Sequence, residues 1–140
     1  YDKLGIKERR ISTGETTSDL AYQAALVALS DADLTPLDID LIVLATATPD
    51  RPVPSCACFV QEKLGAHRAV SFDISAVCSG ALFAAATGAQ FIESGMYQNV
   101  LIIGADTFSN ITDWTRRDAV FLVTVQELLY FLLPKRTKGF

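Results

Sequence analysis

Cys78 is the residue of this sequence whose type and position could do chemistry. It lies in segment 73–80, Asp-Ile-Ser-Ala-Val-Cys-Ser-Gly, which leads from a predicted strand at 70–74 through a tight turn into a predicted helix at 79–93. A thiol at the start of such a helix meets backbone N–H groups and the positive end of the helix dipole, and both stabilise the thiolate. The position therefore predicts a nucleophile. The alternative is that Cys78 is a small buried apolar residue, as free cysteines commonly are.

A nucleophilic cysteine generally needs a base, and His67 is the only histidine of the sequence. It precedes the predicted strand whose far end leads to Cys78, so a strand of five residues separates the two by roughly 15 Å. We therefore expect His67 to be a solvated loop residue and any catalytic base to lie outside these residues.

Cys56 and Cys58 lie two residues apart on a predicted helix and so point in different directions. A metal site that combines them with Cys78 is therefore not expected, and we interpret both as packing residues. Three cysteines are an odd and sparse set, which argues against a disulfide framework and favours a reducing compartment, the cytoplasm.

The elements that must position Cys78 alternate between strand and helix. Thr16 and Asp19 form a capping-box pattern for a helix that runs to about residue 30. Gly65 is a suitable end for another helix. The resulting order of strand, helix, strand, helix and strand implies right-handed crossovers and a doubly wound α/β sheet, mostly parallel. In sequence order the predicted elements are a charged strand or extended segment 6–11, a helix 16–30, a loop 31–40, a buried strand 41–47, a proline-rich loop 48–54, a helix 55–64, a strand 70–74, a helix 79–93 and a strand 100–105.

Composition limits the classes of protein that the chain can belong to. At 140 residues, half of them hydrophobic, it has room for one compact domain. Twelve basic against sixteen acidic residues leave a net charge of −4, which excludes the broad basic face of a nucleic-acid binder. The uncharged stretch 74–92 contains several polar residues and lacks a basic flank, so we expect a buried core helix rather than a membrane span. Because the chain begins at Tyr1, we expect it to begin within a longer protein.

Several blocks of this sequence resemble β-ketoacyl-acyl-carrier-protein synthase III. They are 5–10 (Gly-Ile-Lys-Glu-Arg-Arg), 34–42, 45–50 (Ala-Thr-Ala-Thr-Pro-Asp), 54–61 and, most strongly, 72–80 around Cys78. The resemblance covers residues 1–121 as an amino-terminal half, incomplete at its start. It implies a partial thiolase-like fold, a homodimer, and a cysteine that takes an acyl group from acyl-coenzyme A before condensation with malonyl-acyl-carrier protein in fatty acid biosynthesis. It also implies that the histidine and asparagine that assist decarboxylation belong to a second half, so these residues alone are expected to be inactive in condensation.

The resemblance assigns three further residues by their positions in the family's motifs. Lys3 is similar to a basic residue at the mouth of the coenzyme A site, and Arg117 to a basic residue that stacks near the adenine. Val53 matches a position that reaches across the dimer into the partner's acyl pocket. The family binds no permanent cofactor or metal, since acyl-coenzyme A is a substrate. For each of the three residues, the alternative is an ordinary surface or loop residue.

Two other functions stay open at this point. A related condensing enzyme, such as a 3-hydroxy-3-methylglutaryl-coenzyme A synthase or a polyketide-type synthase, would share the cysteine. A non-catalytic truncated product would keep Cys78 only as a packing residue. The reactivity of the Cys78 thiol separates the non-catalytic product from both kinds of enzyme.

The resemblance breaks after Asp118. The family continues there into a Gly-Asp-Gly-Ala-Gly-Ala turn followed by Val-Val-Leu, whereas residues 122–131 are Leu-Val-Thr-Val-Gln-Glu-Leu-Leu-Tyr-Phe. One chosen set of synonymous codons for these ten residues, read after skipping two bases, encodes Gly-Asp-Gly-Ala-Gly-Ala-Val-Val-Leu, so the sequence is compatible with a shift of frame. We therefore predict that residues 122–140 are a tail translated out of frame; the alternative is a genuine divergent amphipathic helix.

Overall fold

The computed structural model describes residues 11–116 and 129–133. A four-stranded sheet with three helices packed on it forms this part of the chain. Short 3-10 turns at Pro36–Asp38, Val77–Ser79 and Phe108–Asn110 lie between the longer elements. In chain order these are α1 (Thr17–Asp31), β1 (Leu41–Ala45), α2 (Cys56–Leu64), β2 (Val70–Ile74), α3 (Gly80–Glu93), β3 (Val100–Gly104) and β4 (Leu129–Leu133).

The strand order is β2-β1-β3-β4, with β1 between its two parallel neighbours. Leu41 at the start of β1 lies opposite Val70 of β2 and Val100 of β3. The chain therefore goes outward from β1 to β2 and then returns across β1 to β3. The predicted doubly wound α/β fold with a mostly parallel sheet is confirmed, and this reversal is the place where such sheets collect functional sites.

Alternate residues of the central strands pack into two separate cores. Ile42 and Leu44 face α1 and α2, whereas Leu41 and Val43 face α3. All five residues of β1 and of β3 are buried, as expected for strands that helices cover on both sides.

Local sequence signals account for most element boundaries. Thr16 and Asp19 form the predicted capping box at the start of α1. Gly65 ends α2 with a φ of 72°, in the left-handed region that favours glycine. By contrast, β1 ends at Ala45, two residues before its predicted end. The reason is that Ala47 and Thr48 donate their backbone N–H groups to a carboxylate instead of to a neighbouring strand.

The expectation that α3 is a buried core helix is wrong for most of its surface. Only Gly80, Ala84 and Gly88, a stripe of small residues four apart, are buried against the sheet. The large side chains Leu82 and Phe83 point outward and are 74% and 58% exposed. Within the described residues, no helix has the length and apolarity to span a membrane.

Near the end of the chain, β4 pairs antiparallel with β3, with Leu133 opposite Val100 and Leu129 opposite Gly104. The alternative of a C-terminal helix is therefore wrong for residues 129–133. The out-of-frame origin of 122–140 stays a prediction. The predicted strand at 6–11, apart from Ile11, lies outside the described residues.

Candidate active site

Cys78 lies beyond the carboxyl end of β2, in the 3-10 turn Val77–Ser79 that leads directly into α3. Its side chain is exposed. The turn is held by two backbone hydrogen bonds, in which Ser79 N–H donates to the carbonyl of Ala76 at 3.1 Å and Gly80 N–H donates to that of Val77. The structure therefore places Cys78 at the predicted edge of the sheet and at the predicted helix start, accessible rather than buried.

Val77, immediately before Cys78, has a φ of 46°. A β-branched residue in this left-handed region is strained, at a cost of order 1–3 kcal/mol. Such strain is retained only where the surrounding structure enforces the turn, and it is commonly found at functional sites. The sharp turn presents the Cys78 thiol outward from the sheet edge.

His67 is exposed in the loop between α2 and β2, at the amino end of β2. Because Cys78 follows the carboxyl end of the same strand, the structure does not bring the two residues together. The prediction that His67 is a solvated loop residue is confirmed.

The other two cysteines are placed on α2. Cys56 is buried, and burial raises the pKa of its thiol to about 12. Its Sγ lies 3.4 Å from the Asp50 carboxylate. Cys58 is half-buried, with its Sγ 3.1 Å from the Ser55 hydroxyl. Within the described residues, no group of three histidine, cysteine or acidic residues could hold a metal ion.

Of the three residues that the family resemblance singled out, only Val53 lies in the described part. Its side chain is 79% exposed on the loop between β1 and α2. Lys3 and Arg117 lie outside the described residues, so their assigned contacts with coenzyme A stay predictions.

Two carboxylates, at or just after the carboxyl ends of β2 and β3, did not stand out in the sequence. Asp73 of β2 accepts hydrogen bonds from the backbone N–H groups of Cys56 and Ala57 at 2.6 and 2.7 Å, and so caps α2. Asp106, just after β3, accepts four hydrogen bonds from residues 46–48. A charged residue between Phe72 and Ile74 of a predicted strand was the available signal for Asp73, because a carboxylate there needs partners.

Comparison with known proteins agrees with this arrangement. The family model described as 3-Oxoacyl-[acyl-carrier-protein (ACP)] synthase III matches residues 72–124, which include Cys78. Over 121 residues, 86% of this chain, the sequence is 53% identical to the β-ketoacyl-[acyl-carrier-protein] synthase III of Geobacillus kaustophilus. It is 52% identical over 121 residues to the enzyme of the same name from Caldanaerobacter subterraneus. The chain is therefore similar to the amino-terminal part of the synthase III family. It spans 39% and 37% of the lengths of these two relatives.

Solved structures show the same fold. The 3-oxoacyl-[acyl-carrier-protein] synthase III of Aquifex aeolicus is 50% identical, with a TM-score of 0.79 over 81% of this chain and 37% of that one. The priming β-ketosynthase of the R1128 polyketide pathway is 32% identical, with a TM-score of 0.81 over 86% of this chain and 36% of that one. The thiolase-like α/β fold that the sequence predicts is thereby confirmed.

Proposed function

We propose that this chain carries the acyl-accepting part of a β-ketoacyl-acyl-carrier-protein synthase III, with Cys78 as its nucleophile. The observation that carries the proposal is the exposed thiol on a sharp turn at the start of α3, inside the segment that the family model matches. The Cys78 thiolate attacks the thioester carbonyl of acyl-coenzyme A. A new C–S bond forms, and the bond to the coenzyme A sulfur breaks. Coenzyme A leaves as a thiol that takes up the proton from Cys78.

The second half-reaction belongs to fatty acid biosynthesis. Malonyl-acyl-carrier protein loses carbon dioxide, and the resulting carbanion attacks the Cys78 thioester and releases the thiolate. A base and hydrogen-bond donors are needed beside the thioester for this step. His67 lies at the opposite end of β2 and does not supply them. We therefore propose that these 140 residues accept an acyl group but do not condense it by themselves.

The remaining parts of the proposal follow the same family. The substrates are acyl-coenzyme A and acyl-carrier protein, and Lys3 and Arg117 contact the coenzyme. The working protein is a homodimer in the cytoplasm, and Val53 enters the acyl pocket of the other protomer. No resident cofactor or metal and no nucleic-acid or membrane partner is proposed.

Acyl transfer to Cys78 is the direct test. Incubation with radiolabelled acetyl-coenzyme A is expected to give a protein-bound label that hydroxylamine releases, because thioesters are cleaved by this nucleophile. The label is expected to disappear in Cys78→Ala and to persist in the matched control Cys58→Ala. A wild-type chain that takes up no label, or one that keeps it after Cys78→Ala, contradicts the proposal.

A polyketide-type synthase is the second candidate, and the similarity to the R1128 priming β-ketosynthase favours it. Both candidates acylate the same cysteine. A chain loaded from branched or longer acyl-coenzyme A but not from acetyl-coenzyme A would favour the polyketide type. If Cys78 is acylated by none of the acyl-coenzyme A donors, the hypothesis of a non-catalytic truncated product is favoured.

A further inference from the structure

The loop 46–55, here called the arm, joins β1 to α2 and carries the exposed residue Val53. Arg51, Pro52, Val53 and Pro54 are all exposed at its tip. A loop that exposes an apolar side chain to water is expected to be either mobile or fixed by contacts of its backbone. The hydrogen bonds of the arm fix it at both ends and in the middle.

Asp106 holds the beginning of the arm with a single carboxylate oxygen. Its Oδ1 accepts from the backbone N–H groups of Ala47 at 2.7 Å and Thr48 at 3.1 Å. The same oxygen accepts from the hydroxyls of Thr46 at 3.1 Å and Thr48 at 3.0 Å. Hydrogen bonds to a charged acceptor are about twice as strong as neutral ones. Four donors on one oxygen therefore fix the direction in which the arm leaves β1.

Further contacts support the same backbone. The Thr17 hydroxyl donates to the carbonyl of Thr48 at 2.6 Å, and Thr107 N–H donates to the Thr48 hydroxyl at 2.8 Å. In the middle of the arm, the Asp50 carboxylate accepts from Ser18 N–H at 3.0 Å.

Asp73 fixes the far end, where the arm becomes α2. Its two oxygens accept the N–H groups of Cys56 and Ala57, the first two residues of that helix. Because Asp73 belongs to β2, the strand that leads to Cys78, the end of the arm and the nucleophile turn share one support. The start of the arm depends instead on Asp106, which follows β3.

An apolar side chain on a backbone that is already ordered loses little conformational freedom when it docks into a pocket. Val53 is such a side chain. We propose that Asp106 is a positioning residue for acyl-chain selection. Its hydrogen bonds with Ala47 and Thr48 limit how far the arm, and with it Val53, can move when an acyl chain binds beside Val53. This inference rests on the proposed function, in which Val53 lines the acyl pocket of the other protomer.

The test compares three variants of the full chain. Asp106→Ala removes the acceptor, whereas Asp106→Asn keeps one acceptor oxygen, which is all that the four contacts require. Asp40→Ala is the matched control, because Asp40 Oδ2 accepts the N–H groups of Gln98 and Asn99 at 2.9 and 3.0 Å at the opposite edge of the sheet. The rate of Cys78 acylation is measured for each with acetyl-coenzyme A and with hexanoyl-coenzyme A.

Asp106→Ala is expected to move the ratio of the acetyl to the hexanoyl acylation rate toward one by about fivefold. The reason is that a more mobile arm lets Val53 move aside for the longer acyl chain. Asp106→Asn is expected to restore most of the wild-type ratio. Asp40→Ala is expected to change both rates equally, as a merely structural defect does. A wild-type ratio of one, or an Asp106→Ala variant with an unchanged ratio, overturns the proposal.

Backbone order parameters from NMR relaxation separate this proposal from the proposed function and do not require acylation. In Asp106→Ala, the order parameters of the Arg51 and Val53 N–H groups are expected to fall relative to wild type, whereas Asp40→Ala is expected to leave them unchanged. An absence of acylation in every variant contradicts the proposed function. In that case, a fall at Val53 in Asp106→Ala supports the role of Asp106 in holding Val53, and an unchanged value there overturns it. If Asp106→Ala fails to unfold cooperatively, it is replaced by Thr46→Val, which removes one of the four donors to Asp106; a smaller fall at Val53 is then expected, and no fall overturns the proposal.

Discussion

Gly80, the first residue of α3, lies against Ala45, the last residue of β1, so closely that a β-carbon on Gly80 would stand 3.1 Å from that of Ala45. Two turns further along α3, a β-carbon on Gly88 would stand 2.7 Å from Ile102 Cδ1 and 3.0 Å from Val100 Cγ1. Both glycines let the helix approach the sheet. Gly80 does so two residues after Cys78, and therefore fixes where the nucleophile turn meets the central strand.

Alanine substitutions at these two glycines are expected to have different effects, because only Gly80 lies at the end of α3 that carries Cys78. Gly80→Ala requires α3 or β1 to shift by a few tenths of an ångström at the end that carries Cys78. It should therefore change the rate of Cys78 alkylation by iodoacetamide. Gly88→Ala is the matched control, and urea unfolding should show a loss of roughly 1 kcal/mol after the gain in helix propensity. Equal alkylation rates in wild type and Gly80→Ala would contradict the positioning role.

The three thiols are expected to react in a fixed order under native conditions. Cys78 is exposed and should be alkylated first, the half-buried Cys58 next, and Cys56 last, because Cys56 is buried with a thiol pKa of about 12. Mass spectrometry of peptides after timed alkylation at pH 6 measures the three rates. If Cys78 reacts no faster than Cys56 and Cys58, it is a packing residue and not a nucleophile.

Signals that act within one element were predictable from the sequence, and contacts between distant elements were not. The Thr16 and Asp19 pair and Gly65 mark helix ends by local hydrogen bonding and backbone conformation, so the boundaries followed directly. The continuous apolar run of β1 required cover on both faces. By contrast, the partners of Asp106 come from residues about sixty positions earlier in the chain, which no periodicity encodes.

The burial of α3 shows a different limit of the sequence. A helix with so few polar residues is expected to lie in a core, yet the structure buries only its stripe of small residues. Apolar character indicates that a surface avoids water, and it does not say which element of the protein covers that surface. Leu82 and Phe83, which lie in the stretch expected to be buried, are therefore exposed.

Asp73→Asn is expected to destabilise the fold even though the change is nearly isosteric. Each of the two carboxylate oxygens accepts one N–H group of α2, so the amide of Asn must present its own donor to one of them. The expected loss is about 1–3 kcal/mol in urea unfolding. Asp113→Asn is the control, because that carboxylate accepts hydrogen bonds from the N–H and hydroxyl groups of Thr115 in an exposed turn and caps no helix of the described residues. Equal stability of the two variants would contradict the capping role of Asp73.

The contact between Asp19 and Lys63 is expected to make stability depend on acid pH. The Lys63 ammonium, 2.7 Å away, and the Thr16 N–H lower the pKa of the Asp19 carboxyl to about 2 from 3.8. Because the folded state binds this proton more weakly than the unfolded state, the stabilisation is present above about pH 4 and is lost as pH falls toward 2.

The pH dependence is measured by thermal unfolding between pH 2 and pH 7. Asp19→Asn should lower the stability at pH 7 by about 0.5–1 kcal/mol, a modest value because both side chains are partly solvated. The difference between the variant and wild type should shrink as the pH falls toward 2. A difference that stays constant over the whole range would show that the charge of Asp19 contributes nothing.

The coding DNA tests the prediction for the end of the chain. Residues 122–140 follow the point where the resemblance to the family breaks, and the family model itself ends at residue 124. We expect a single-base insertion or deletion near codon 122, whose correction restores the Gly-Asp-Gly-Ala-Gly-Ala turn. Such a tail pairs with β3 through its backbone, as β4 does at residues 129–133, because an open strand edge accepts almost any apolar strand. If no shift of frame near that codon yields the glycine turn, residues 122–140 are a true part of this protein and β4 is a strand that its sequence specifies.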